Sequence, residues 1–591
     1  MDNAKRGFLV LSLLAAAACG READGYIFED VPFSVIPQPA SVTLGDGWFE
    51  LTGADFYVDP AFGDAGVEVA RGLADRLCEV SYLRSRVKVG TPRRPAVRLV
   101  SGTVTASPDS YRLTVDSTGV TVTASTRSGL LNAVQTLAQM LPASFFDRDT
   151  RGQRYRIPYA VIEDSPRFAY RGVLIDVGRH FYSAGEIKRC LDVMALYKVN
   201  RFHWHLSEDQ GWRIEIKKYP RLTEVGSFRR ETQVAHWRDS LDHREHRGFY
   251  TQDEIRDVVA YAGARGITVI PEIDLPGHMM SALAAYPELG CTGGPYEVAT
   301  TWGVKPDVLC AGQEATFTFL EDVLTEVLDL FPSEYINIGG DECPKVRWKE
   351  CPRCQARIRE LGLADRDGHT AEQYLQSYVT NRIQKFLAAR GRRIIGWEEI
   401  LEGDLDEGAT IMSWRGIEPG IRAAARGFDA IMAPNYYMYI DRYQTEEWDR
   451  EPVSIGACLP VELLYSYEPC EGVAEGAEDH IIGVQANLWT EFIGSDDYLE
   501  YMLLPRLAAL AEVQWEAVGA RDWDRFRAAL DHSAAIYEAM GYPYGKHVWG
   551  IAGMPGEEHP ARTPEELEEY LKVRKGPWAM SYEEGKNLII K

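Results

Sequence analysis

The chain predicts a (β/α)8 barrel preceded by a small α/β domain, and three observations point there. Between Arg167 and about Val518, eight short apolar segments alternate with stretches of helical period, the pattern of a parallel sheet with helical crossovers. The conspicuous polar and aromatic residues follow the ends of those segments, where barrel sites are built. From Tyr26 to Glu163 the chain instead alternates with a period of two, interrupted by two helical patterns. At 591 residues it exceeds one ordinary domain, and its 45% apolar content supports more than one core.

The domain over 26–163 carries the alternating runs Phe49–Leu51, Ala54–Val58, Val97–Val100, Tyr111–Val115 and Val120–Ala124, with helical patterns at Val67–Glu79 and Ser128–Gln139. The barrel domain over 167–518 offers strands at Gly172–Asp176, Val199–His205, Thr268–Glu272 and Tyr335–Ile338. The remaining candidates are Arg393–Gly396, Ala409–Met412, Ala430–Ala433 and Ile482–Ala486. Helical patterns between them include Ser183–Tyr197, Gln252–Arg265, Glu314–Leu330 and Ala371–Ala389. Two open on capping-box spacing, Ser183-x-x-Glu186 and Thr251-x-x-Glu254, which satisfies the first free amides of a helix. A helix over Asp522–Met540 and a polar tail make up 519–591.

Residues 1–19 read as an export signal. Lys5 and Arg6 precede an apolar run from Phe8 to Ala18 that is too short to span a bilayer. The run ends in Ala-Ala-Ala-Cys-Gly, which resembles a bacterial lipoprotein signal with Cys19 as the lipidated residue, although Ala16 stands where a large aliphatic residue is usual. The expected location is therefore periplasmic or cell-surface, with membrane attachment only through that anchor. A net charge of −24 argues against nucleic-acid partners, because phosphate binding requires a basic face. Export permits disulfides. Cys291 and Cys310 flank one loop and Cys458 and Cys470 another, so each pair is a candidate bridge. Cys343-x7-Cys351-x2-Cys354 offers three thiols where a zinc knuckle needs four ligands, so a disulfide or free thiols is the expectation there.

The chemistry centres on Tyr335-Ile-Asn-Ile-Gly-Gly-Asp-Glu342, an apolar strand, two glycines and two adjacent acids. Neighbouring acids inside a strand point apart, but past a flexible glycine pair both can turn into one pocket. Two carboxyls in one apolar pocket push their pKa values apart, leaving one protonated and one ionised. Trp397, Trp414, Trp489 and Tyr439, interleaved with Asp and Glu, suit a sugar. Indole faces pack on pyranose C–H groups, while carboxylates and arginine engage hydroxyls. His203-Trp-His205 has a spacing also used by metal ligands, but only His278 stands as a third histidine at a strand end, so hydrogen-bonded structural histidines are the preferred reading.

Ordered along the chain, Arg171-Gly to Arg179-His-Phe, His203-Trp-His-Leu-Ser-Glu-Asp-Gln-Gly-Trp-Arg213, Pro271-Glu-Ile-Asp-Leu-Pro-Gly-His278 and Ile338-Gly-Gly-Asp-Glu342 resemble glycoside hydrolase family 20, the β-N-acetylhexosaminidases. Gly396-Trp-Glu-Glu, Ser413-Trp-Arg and Leu488-Trp-Thr-Glu491 extend the resemblance, which covers about Phe33 to Tyr537. It implies Glu342 as general acid, Asp341 as partner of the substrate's acetamido N–H, and Tyr439 as its contact to the acetamido oxygen, with Tyr436 and Tyr437 as competitors for that place. The resemblance further implies that Trp397, Trp414 and Trp489 wall the pocket and that Arg179, Asp441 and Glu491 bind hydroxyls. His278 and Glu208 would support the acid, Glu208 standing where the family often has aspartate. The implied activity is exo-hydrolysis of terminal β-linked GlcNAc or GalNAc from glycans, with the acetamido group as nucleophile and no cofactor. Alternatives are a disaccharide-releasing family member, a silent glycan-binding lipoprotein, and a metal-dependent hydrolase using His203 and His205.

Overall fold

The computed structural model of the chain describes residues 26–104, 107–447, 450–551 and 553–554. Cys19 and the rest of the leader lie outside the described residues, as does the tail beyond 554. The chain divides into two compact units, one built mainly from residues 41–104 and 111–163, the other from 164 onward.

The first unit is a seven-stranded sheet with strands β1 (Ser41–Glu50), β2 (Phe56–Val58), β3 (Val87–Val89), β4 (Ala96–Ser101), β5 (Tyr111–Asp116), β6 (Gly119–Ala124) and β7 (Arg156–Asp164). Its spatial order is β1-β7-β5-β6-β4-β2-β3. Alternation in β5 and β6 turns Leu113, Val115, Val120 and Val122 inward, each at most 2% exposed. Helices Gly63–Ser81 and Arg127–Gln139 bury Val69, Leu73, Leu77, Leu130, Ala133 and Leu137 in the same unit.

The second unit contains a closed barrel of eight strands. They are β8 (Tyr170–Asp176), β9 (Arg201–His205), β10 (Thr268–Glu272), β11 (Tyr335–Asn337), β12 (Arg393–Trp397), β13 (Thr410–Ser413), β14 (Asp429–Met432) and β15 (Ile481–Leu488). All pairings are parallel, β8 closing on both β9 and β15. Each strand falls on a predicted apolar segment. Such strands are buried on both faces, as β8 is along its whole length, which is why they read as continuous apolar runs. Tyr170, Leu174, Ile270, Ile395, Met412 and Ile431 pack together inside the barrel. The helix Trp523–Met540 belongs to this unit, and its Tyr537 hydroxyl meets that of Tyr197. No described helix is long and apolar enough to cross a membrane.

Three expectations need correction. Thr251 and Glu254 form the full reciprocal capping box, but the Ser183 box is half made. Ser183 accepts from the Glu186 amide, whereas the Glu186 carboxylate turns away and lies 3.7 Å from Arg189. The two loop-closing disulfides are absent, since Cys291, Cys310, Cys458 and Cys470 are all free thiols. Cys291 and Cys310 gather instead with Cys351 and Cys354, and Cys343 stands apart from that group, because the third and fourth loops of the barrel lie side by side.

Beneath the barrel, Lys198 is fully buried with its ammonium 3.0 Å from Asp164, which also accepts a 2.7 Å bond from the Trp515 indole. Removing one partner of a buried pair strands the other charge. Asp164→Ala should therefore lose about 3–5 kcal/mol of stability, read from denaturant unfolding, whereas a loss below about 1 kcal/mol would show the pair to be incidental.

Candidate active site

The site begins with register. Parallel pairing sets Asp176, His205, Glu272 and Asn337 side by side at the ends of β8 to β11. From there a buried polar chain climbs to the rim. The Tyr170 hydroxyl donates to Gln485 at 2.7 Å, and the Gln485 amide lies 3.0 Å from His203 Nδ1. His203 Nε2 lies 3.0 Å from Glu272 and 3.1 Å from the Asn337 amide. His205 hydrogen-bonds Glu272 through Nδ1 and lies 3.2 Å from Glu208 through Nε2. Glu208 in turn meets His278 Nδ1 at 2.7 Å. Both ring nitrogens of His203 and of His205 are thus engaged, which leaves neither a lone pair aimed at a metal and supports the structural reading of this pair.

Charge alternates along that chain. Burial works against ionised Glu272, but the imidazoles of His205 and His203 outweigh it and hold the carboxyl well below its ordinary range. His205 is pushed the other way: burial disfavours its cation, and Glu272 and Glu208 overcome this to raise it well above an ordinary histidine. Glu208 is likewise held ionised against burial by Arg179 and His278, and His278 is raised by Glu208. Glu208 also binds Arg179 at 3.0 Å, and its length is what allows it to reach Arg179, His205 and His278 together.

Above this chain the Gly339-Gly340 turn delivers the acid pair. Gly339 has φ +63° and Gly340 φ +95°, a region costly for residues with a Cβ. A Cβ on Gly339 would lie 1.8 Å from Asp274 Oδ1, and one on Gly340 would lie 2.5 Å from Ile400. Asn337 accepts from the Gly339 amide at 2.8 Å, Asp274 from the Gly340 amide at 3.2 Å, and the Gly340 carbonyl accepts from Gln376 at 2.7 Å. Glu342 itself takes φ +44° and His278 φ +50°, so both sides of the acid are held in unusual backbone. His278 Nε2 stands 3.7 Å from Asp341 and 3.6 Å from Glu342.

The two acids do diverge, with the proton on the unexpected member. Burial, then the negative Glu272 and Glu342, raise Asp341 to about 7 despite His278. Glu342 is half open to solvent, and although burial pulls it upward, His278 and Arg179 hold it below the ordinary glutamate range. In the open site, then, Asp341 is the acid that holds a proton up to about neutrality, where it is half protonated.

A cavity of about 230 Å³ receives these groups and is lined by Arg179, Glu208, Asp341, Glu342, Trp397, Trp414, Tyr439, Asp441, Trp489 and Glu491. His278 lies behind the acids. Trp397 and Trp489 approach at 5.8 Å between ring centroids, Tyr439 and Trp489 at 6.3 Å, and Trp414 and Tyr439 at 6.1 Å, which links the four rings in a row. Two of the three indoles are fixed by acids: Trp397 donates to Glu272 at 3.0 Å and Trp414 to Glu399 at 3.0 Å. Of the three candidate tyrosines, Tyr439 lines the cavity, while Tyr437 stacks on Tyr467 and Tyr436 lies beneath Arg442. Burial keeps the Tyr439 phenol neutral and available as a donor.

Asn435, Arg442 and Ile455 also line the cavity and were not singled out in the sequence. Asn435 and Arg442 flank Tyr439-Ile-Asp441 and were findable as its neighbours, but Ile455, farther along the same segment, carries no polar signal. Four buried oxygens around the cavity lack partners: Asp341 Oδ1, Asn435 Oδ1, Asp441 Oδ1 and Glu491 Oε2. Orphaned buried acceptors are costly unless a ligand completes them. Asp441 is raised to about 8 by burial and by Glu491, so it is itself protonated in the open site.

A barrel mouth that combines an acid pair, a row of aromatic rings and unfilled acceptors defines a glycoside hydrolase. The family model described as "Glycosyl hydrolase family 20, catalytic domain" matches residues 168–518, and the model for "domain 2" of that family matches 33–165. A β-hexosaminidase of Porphyromonas gingivalis is 41% identical over 546 residues, covering 91% of this chain and 68% of that protein. A β-hexosaminidase of Vibrio furnissii is 39% identical over 483 residues, covering 81% and 76%. Among solved structures, the family 20 β-N-acetylhexosaminidase of Streptomyces coelicolor superposes with a TM-score of 0.76 at 32% identity, over 87% of this chain and 98% of that one. A mutant Streptomyces plicatus β-hexosaminidase in complex with GlcNAc gives 0.74 at 31%, over 87% and 97%. The chain belongs to glycosyl hydrolase family 20.

Because a methyl on Gly339 would collide with Asp274, Gly339→Ala should displace the acid pair and lower kcat/KM by about two orders of magnitude. Initial rates and a thermal melt would separate this from unfolding, and an unchanged rate would show the cradle to be dispensable.

Proposed function

We propose that the protein is a retaining exo-β-N-acetylhexosaminidase that removes terminal β-linked GlcNAc or GalNAc from glycans, with the substrate's acetamido oxygen as nucleophile. The observation that carries this reading is a single cavity in which Asp341, Glu342 and Tyr439 stand among Trp397, Trp414 and Trp489. A cavity of about 230 Å³ is small beside the roughly 300–1,000 Å³ of clefts that take larger ligands, which favours one terminal sugar over a disaccharide.

The geometry supports a division of labour. Trp397, Trp414 and Trp489 enclose the N-acetyl sugar, and Arg179, Asp441 and Glu491 meet its outer hydroxyls. Tyr439 donates to the acetamido oxygen and Asp341 accepts from the acetamido N–H, which holds the oxygen against the anomeric carbon. Making that attack intramolecular is worth up to roughly 7–11 kcal/mol. As the ring closes and positive charge develops, Asp341 stabilises it and Glu342 gives its proton to the departing glycosidic oxygen. Glu342 then deprotonates the water that reopens the oxazolinium intermediate, retaining configuration.

The proton must move before the first step. A sugar that covers half-open Glu342 removes water from it and raises its affinity for a proton, while the acetamido N–H favours Asp341 as the anion. His278, 3.7 Å from one carboxyl and 3.6 Å from the other, supplies the path between them. The productive free enzyme holds one proton across the pair. A carboxyl raised to about 7 loses that proton as pH climbs past that value, so kcat/KM should fall on the alkaline side with an apparent pKa near 7. A flat profile from pH 6 to 9 would refute this sharing.

Two substitutions test the roles. Glu342→Gln should cost far more on natural glycans than on nitrophenyl β-GlcNAc, whose leaving group needs little protonation, and equal losses would remove Glu342 from the acid role. Asp341→Asn should slow every N-acetylated substrate, and normal rates would exclude it as the acetamido partner. Nitrophenol release from the β-GlcNAc but not the β-glucose glycoside is the direct test of the activity.

We also propose export and anchoring through a lipid on Cys19. Support comes from the Lys5-Arg6 start, the short apolar run and Ala-Ala-Ala-Cys-Gly. Cys19→Ser should release the protein from membranes into the soluble fraction, and unchanged fractionation would argue against the anchor.

A further inference from the structure

Four cysteines meet at the side of the barrel mouth. Cys291 and Cys310 belong to the long segment after β10, the same one that carries His278. Cys351 and Cys354 belong to the segment after β11, which carries Asp341 and Glu342. All four sulfurs lie within 4.8 Å of one another. Cys310 Sγ is 3.8 Å from Cys351 and 3.7 Å from Cys354, and Cys354 is also 3.8 Å from Cys291.

Those separations choose between the two chemistries open to clustered thiols. A disulfide needs sulfurs about 2.05 Å apart and one partner for each cysteine. Here Cys310 has two equidistant partners, as does Cys354, and no pair is singled out. Thiolates about 2.3 Å from a central zinc occupy the corners of a tetrahedron with edges of about 3.8 Å. Three of the six separations match that edge, and the other three lie within 4.8 Å.

The surroundings are those of a built site. Cys310 and Cys354 are fully buried and Cys351 nearly so. Cys351 and Cys354 sit at the start of the helix Pro352–Leu361, whose free amides favour thiolate charge. Gly312 lets the two loops close, since a Cβ there would lie 2.3 Å from the Cys354 amide nitrogen. Arg353 spans the junction, donating to the carbonyls of Gly290 at 3.0 Å and Cys291 at 3.3 Å. None of the four cysteines lines the sugar pocket.

We propose that Cys291, Cys310, Cys351 and Cys354 bind one zinc ion as a tetrahedral, four-thiolate structural site that ties the third and fourth βα loops together. Sulfur-only tetrahedral coordination suits zinc over harder cations, and the closed ligand set leaves no open position for catalysis. The ion would fix, from outside the pocket, the two loops that supply His278 and the acid pair. Its binding does not depend on the assigned reaction.

The test needs no activity. The full chain, purified without chelator or reductant, is assayed for zinc by elemental analysis and for intact mass under denaturing, non-reducing conditions. The expected result is about one zinc per chain that survives dialysis, all thiols reduced, and release of that zinc as a mercurial titrates the thiols. Cobalt(II) in its place should give the charge-transfer and visible bands of tetrahedral thiolate coordination. Cys354→Ser should lose the zinc while Cys458→Ser keeps it. If Cys354→Ser fails to fold, the zinc content, mass and cobalt spectrum of the unaltered chain still decide. Zinc below about 0.1 per chain, a mass short by the hydrogens of two disulfides, or full zinc in folded Cys354→Ser would each overturn the site.

Discussion

A carboxylate with no access to solvent at the centre of a barrel is the constraint on which the rest of this molecule depends. Glu272 is completely buried, and an isolated anion there would cost more than folding can supply. It persists because His203 and His205 flank it and the Trp397 indole donates to its second oxygen. His205 then requires Glu208, and Glu208 requires His278 and Arg179. Each charge is tolerable only in the presence of the next, so the chain either forms whole or not at all. Its upper end is His278, the group that faces both Asp341 and Glu342.

Linking the core to the rim in this way makes the electrostatics of the acid pair a property of the barrel. The cations nearest the pair, His278 and Arg179, are themselves fixed by Glu208. That arrangement lets two carboxyls share a pocket while holding different affinities for a proton. It also explains why the open site keeps its proton on Asp341: Glu342 retains contact with water and with both cations, whereas Asp341 is shut in among acids.

The same pocket stores a second imbalance. Four buried oxygens without partners line a cavity in which two of the ring walls, Trp397 and Trp414, are bonded to acids. Such a site is less stable empty than a filled core would be, and the deficit is met by the hydroxyls and amide of a bound sugar. The strained backbone at Glu342 and His278 belongs to the same economy, because it aims polar groups at a ligand instead of at each other.

Local chemistry in the sequence was enough for the eight strands, most helices and the acid pair. Period, apolar runs and the Gly-Gly break are properties of adjacent residues, and a parallel barrel puts functional groups at strand ends by construction. The nine residues expected in the pocket from strand ends and family resemblance do line one cavity, and Glu208, expected behind the acid, lines it as well. What the sequence could not contain is proximity between segments far apart in the chain. The four-cysteine cluster combines two pairs from different loops, so its spacing matched no linear motif and suggested a Cys291–Cys310 bridge inside it instead. Ile455 reaches the pocket from a loop with no chemical signature. The location of the shared proton depends on burial and on charges supplied by four separate strands and their loops. Only the closed barrel, by fixing which groups lose water and which face each other, decided these.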